Sequence, residues 1–151
     1  MKKIILALIF LISCSAFAAG WKTIELKDEF KESTGQVRIM KMGKENKGAV
    51  YINKDKTGYE IGFMTLEYIG GKGKYDESLL KIKIDNNSPI TVQGYVWVND
   101  KKIVSGALNS KLLELMKKGK TMKVVIEKYN SETIFLEFDL EGFTEYLGKI
   151  K

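Results

Sequence analysis

No histidine occurs in the 151 residues of this chain, and cysteine and proline each occur once. Without imidazole there is no His-based catalytic triad, no His metal ligand and no proton shuttle titrating near neutrality. A single cysteine leaves nothing to pair within the chain, so the fold must be held by its apolar core rather than by disulfides. Arginine is nearly missing too: Arg38 is the sole arginine among 25 basic residues. Nucleic-acid sites rely on arginine for bidentate contacts to bases and phosphates, which excludes that class of partner. The lysine pairs Lys54/Lys56, Lys72/Lys74, Lys101/Lys102 and Lys117/Lys118 sit beside turn signals. They read as solvated loop charge, with weak adhesion to anionic glycans or lipid headgroups as the alternative.

No apolar run is long enough to cross a bilayer. The first such run, residues 4–12, has nine residues, about half of what a ~30 Å hydrocarbon core requires. Lys2 and Lys3 precede it and Ala16-Phe17-Ala18 follows, an A-x-A cleavage site, so residues 1–18 read as a secretory signal peptide. The expected mature chain starts at Ala19 and is periplasmic or secreted. Leu11-Ile12-Ser13-Cys14 also fits a loose lipobox, which makes Cys14 a candidate lipidation site and a membrane-anchored lipoprotein the alternative. No transmembrane helix is expected in the mature chain.

What is present is alternation. With 44% hydrophobic and 29% charged residues the chain is globular rather than disordered, and residues 19–151 fit one domain. Period-two patterns over 21–26, 37–42, 49–53, 59–69, 80–84, 90–98, 103–105, 122–129 and 133–141 read as strands. Turns fall at Lys54–Gly58, at Asn86-Asn87-Ser88-Pro89 and at Asn130-Ser131-Glu132. Leu112, Leu115 and Met116 predict one short helix near 111–118, capped by Ser110 and stopped at Gly119. Phe143, Tyr146 and Leu147 predict a short C-terminal helix. The expected fold is mainly β: an antiparallel β-sandwich or open barrel of about eight to nine strands.

Few residues offer chemistry. Gly70-Gly71-Lys72-Gly73-Lys74 lacks the spacing, the following Ser/Thr and the helix of a phosphate loop, so nucleotide binding is rejected. Met40 and Met42 share a strand face and suit copper(I), but without His or Cys to complete a site they read as core filler. No metal or other cofactor is expected. Glu137, Asp139 and Glu141 line one face of a strand opposite Leu136, Phe138 and Leu140. A solvated strand face explains them, and a carboxylate-based secreted hydrolase is the alternative. In 90–98 one face carries Ile90, Val92, Val96 and Val98 and the other Thr91, Gln93, Tyr95 and Trp97. The second face either packs under the helix beginning at Ser110 or turns outward. Outward aromatics beside polar groups would stack on sugars or anchor a protein. Gln93, Tyr95 and Trp97 are therefore the candidate binding residues, for an unknown protein or glycan partner.

Lys81-Ile82-Lys83-Ile84-Asp85, the Lys-rich helix, and Phe138-Asp139-Leu140-Glu141-Gly142-Phe143 running into Thr144-Glu145-Tyr146-Leu147 form a pattern over residues 79–149. It resembles small exported proteins of the invasion-associated locus B family, in which a strand ending FDL.GF enters a short terminal helix. The resemblance implies a periplasmic β-sandwich with a role in envelope or host interaction, and it brings no catalytic residues. The expected function is an exported, non-catalytic binding or envelope-interaction module. The rivals are the hydrolase and a lipid-anchored subunit of an envelope assembly.

Overall fold

The computed structural model describes residues 20–70 and 76–150. The expected leader, Cys14 and the Gly71–Lys74 part of the glycine-rich loop lie outside the described residues. Among those described, nine strands form one antiparallel sheet. They are β1 (Lys22–Lys27), β2 (Ser33–Met42), β3 (Gly48–Asp55), β4 (Gly58–Thr65), β5 (Glu77–Ile84), β6 (Ile90–Val96), β7 (Ile103–Leu108), β8 (Thr121–Glu127) and β9 (Thr133–Asp139). Their spatial order is β1-β2-β3-β4-β7-β6-β5-β8-β9. Two helices, α1 (Ser110–Lys118) and α2 (Phe143–Leu147), complete the fold. A 3-10 turn, Lys44–Asn46, joins β2 to β3. The expected class is the observed one: mainly β, antiparallel, and curled into an open half-barrel.

Alternation explains most of it. Leu80, Ile82 and Ile84 of β5 are buried while Leu79 and Lys81, of the opposite parity, are exposed, because successive strand residues point to opposite faces. Strands β6, β8 and β9 follow the same rule. Curling then brings distant strands together. Phe63 of β4 and Phe138 of β9 have ring centroids 6.0 Å apart across the interior. The corner between β2 and β3 closes against β9 as well. A Cβ on Gly43 would lie 3.2 Å from Phe138 Cε1, and one on Gly48 only 3.1 Å from Leu136 Cδ2. Lys44 at that corner pairs with Glu137 of β9. Leu112 and Met116 of α1 and Phe143 of α2 fill the open side of the curl, and Trp21 packs on Phe143 at 5.1 Å.

Three expectations are corrected. Strand β2 begins at Ser33 rather than at 37, because Thr34 Oγ1 donates to Leu26 O at 2.7 Å and carries the edge pairing outward through polar residues. Strand β4 stops at Thr65, and Ile69 reaches the core through a loop whose backbone bonds to Lys101 and Tyr129. The cap of α1 is Asn109, not Ser110: its backbone is extended (φ −70°, ψ 162°) and its side chain accepts from Leu112 N at 2.9 Å. Ser110 is already helical, so its hydroxyl is one residue too late. Asn109→Ala should therefore cost about 1 kcal/mol in denaturant unfolding. Ser110→Ala should cost a few tenths at most.

Candidate binding face

The interior face of β6 carries Val92 and Val96 into the same core as Leu112 and Met116 of α1. The helix thus lies on that side and does not roof the other. Thr91, Gln93 and Tyr95 remain exposed, and Tyr95 is 51% and Trp97 38% accessible. Trp97 follows the last residue of β6 but stays in register, its N–H donating to Ile103 O at 2.9 Å. Its indole is held from the side and from below. Nε1 donates to Ser105 Oγ at 3.3 Å, and the ring meets Tyr51 edge-on at 6.4 Å.

Tyr51 is the residue that sequence reasoning missed. It lies in β3 between Val50 and Ile52, which belong to the core, and therefore faces outward, yet it is 0% exposed. The register explains this. Met40, Tyr51, Gly62, Ser105 and Tyr95 form one row across five strands. Gly62 leaves a gap in the row, and the Tyr51 ring lies down into it, where a Cβ would meet Cζ at 2.0 Å. The Arg38 guanidinium covers the ring at 4.7 Å from its centroid. Cation–π contact and loss of water act together there. Tyr51 Oη donates to Glu60 Oε1 at 3.3 Å, and Asn53 Nδ2 donates to the same oxygen at 3.3 Å.

Burial first, and the Glu60 charge second, push the Tyr51 hydroxyl above its ordinary value of 10.0. Its folded value is the higher one, so its contribution to stability is complete below about pH 10 and is lost as the pH rises through the folded value. An ultraviolet titration of the native protein minus Tyr51→Phe should show no tyrosinate band from Tyr51 at pH 10.

Beside Tyr95, a depression of about 300 Å³ is lined by Glu77, Ser78, Leu79, Gln93 and Glu127. Glu77 pairs with Tyr95 and Leu79 with Gln93 across the β5–β6 ladder. Ser78, on the interior side, is buried and donates to Glu127 O at 2.8 Å. The structure thus brings Gln93, Tyr95 and Trp97 onto one outward surface with an apolar floor at Leu79 and carboxylates at its side. Such a surface can stack on a flat apolar group and offer it hydrogen bonds at the rim.

Residues 41–151 match the family model described as invasion associated locus B (IalB) protein. The chain belongs to the IalB family. Every residue of the aromatic face except Arg38 and Met40 lies inside the matched span. The fold agrees with a crystal structure of invasion associated protein b from Bartonella henselae. The two share a TM-score of 0.56 at 13% sequence identity, over 85% of this chain and 88% of that one. No curated protein matches the chain in sequence.

The three acids of this IalB chain are spread along the opposite end of the sheet. Glu137 is held by Lys44. Asp139 accepts the Glu141 backbone N–H at 2.7 Å, a local turn bond. Asp139 and Glu141 line a second depression, of about 490 Å³, together with Lys44, Lys120 and Thr121. Both acids are exposed to solvent on the outward side of the chain's last strand and the turn after it. Met40 and Met42, expected as core filler, are corrected by the structure: Ile39 takes the core position, and the two methionines share the outward face with Tyr51.

Proposed function

We propose that this IalB-family chain is an exported, non-catalytic interaction module of the cell envelope. It engages a protein or glycan partner through the face formed by Gln93, Tyr95 and Trp97. The observation that supports this reading is the way Trp97 is mounted. A half-exposed indole fixed by Ser105 and by a fully buried Tyr51 loses little rotamer freedom when a partner covers it, which favours binding. Among the described residues no helix is long and apolar enough to cross a membrane.

Two measurements test the proposal. A glycan array and immobilised envelope proteins are probed with the purified chain, its Trp97→Ala and its Tyr95→Ala variants. Each substitution should weaken capture by about 10- to 100-fold, the range of interface anchor residues, while the unfolding midpoint stays within a few degrees. Unchanged capture by both variants would overturn the reading. Export is tested by the intact mass of the protein from its own host. A start at Ala19 is expected, and a diacylated Cys14 would make the module membrane-tethered instead.

A further inference from the structure

The five methionines of the chain beyond Met1 divide into two groups. Met116 and Met122 are 0% exposed and belong to the core, which is the ordinary use of a flexible apolar side chain. Met40, Met42 and Met64 are only partly buried and stand on the outward face. The register gathers them. Met42 pairs with Ala49, Ala49 pairs with Met64, and Met40 is next along the same face of β2, opposite Tyr51. Ala49 points outward with the smallest of side chains and is nonetheless 5% exposed, so its neighbours close over it. Two strand spacings put the Met42 and Met64 Cα atoms about 10 Å apart, and Met40 lies about 7 Å from Met42 along the strand. A methionine side chain spans half of that first gap, so two thioethers reach a common point above the Ala49 methyl.

We infer that Met42 and Met64, with Met40 as third donor, form a site for a soft monovalent cation, copper(I) or silver(I). The donor set decides the metal. Thioether sulfur is neutral and soft and favours copper(I), whereas carboxylates and water suit harder ions. The alternatives to sulfur are absent: the chain has no histidine, and among the described residues no group of three or more His, Cys, Asp or Glu side chains is placed to hold a metal. None of the three methionines is fully buried, so each keeps some contact with solvent. This inference is independent of partner binding at Trp97, because it concerns sulfur atoms rather than rings.

Silver(I), which needs no reductant, is the probe. Native mass spectrometry of the purified chain should show a one-to-one silver adduct, and zinc(II) under the same conditions should show none. Met42→Leu and Met64→Leu should each weaken silver binding at least tenfold. The triple variant Met40→Leu, Met42→Leu, Met64→Leu should lose the adduct while unfolding at nearly the same temperature, since leucine conserves volume. No adduct in the wild type, equal binding of zinc, or an unchanged adduct in the triple variant would each overturn the assignment.

Discussion

Truncating Phe138 to alanine is expected to destabilise the protein by about 3–5 kcal/mol, the largest effect of any single change considered. Phe138 is 0% exposed in β9. Strand β9 ends the sheet order, with hydrogen-bonded pairing to β8 alone. Its other support is packing across the curl, where Phe138 meets Phe63 at 6.0 Å and lies against Gly43. Removing the ring empties a core site and also loosens the closure between the two ends of the sheet. A domain of this size is stable by about 5–15 kcal/mol in all, so the variant should lose a large part of its margin. Denaturant unfolding measures it, and Phe135→Ala supplies the control. Phe135 is in the same strand on the opposite face, 54% exposed, and should cost less than about 1 kcal/mol. Equal effects at the two positions would mean that the closure contributes nothing.

The second large effect is expected at Gly62. An alanine Cβ there would sit 2.0 Å from Tyr51 Cζ and 2.3 Å from its Oη. Strand β4 is paired on both sides, to β3 and β7, so its backbone has little freedom to retreat. The ring has to leave its bed, and with it go the contacts to Arg38 and Trp97. Overpacking of this kind costs about 1–3 kcal/mol. The mechanism has a signature: Tyr51→Ala removes the obstacle, so Gly62→Ala should cost much less in a Tyr51→Ala background. A coupling of about 1–3 kcal/mol in a double-mutant cycle is the expected result. Additive effects would mean that the glycine serves some other purpose. Because Trp97 leans on Tyr51, the proposed binding face predicts that Gly62→Ala also weakens capture of a partner, although residue 62 lies two strands away from Trp97 in the sheet order.

Much of this architecture was legible in the residues themselves. Leu80-Lys81-Ile82-Lys83-Ile84 and Leu136-Glu137-Phe138-Asp139 alternate so regularly that the core face of each strand follows from period two. Asp55-Lys56-Thr57-Gly58 announced its hairpin, and the structure closes it with the Asp55 carboxylate accepting from Thr57 N at 2.7 Å and Gly58 N at 3.1 Å. Gly119 announced the end of α1. The cap was misplaced by one residue because Asn109 and Ser110 are both good caps, and only the backbone angles decide between neighbours. The family, too, was readable from the pattern over 79–149, whose run Phe138–Leu147 holds the end of the last strand, the left-handed Gly142 at φ 79° and the final helix.

The candidate site was legible only in part. Tyr95 and Trp97 stood out by composition and alternation, whereas Tyr51 lies in the run Ala49-Val50-Tyr51-Ile52, where both faces are apolar and period two gives no direction. Its role depends on Gly62 and Arg38, which the chain places 11 residues downstream and 13 upstream. The same holds for Met64, which nothing local links to Met42. By itself, then, the sequence determined the strand set, the fold class, the two helices and the family, because those rest on local periodicity and turn chemistry. Only the tertiary structure decided which face of β6 the helix covers, which tyrosine lies flat across a glycine and which three methionines share one outward face. Those outcomes depend on strand order and curl, and both are set by the packing of the whole sheet around one core rather than by any segment alone.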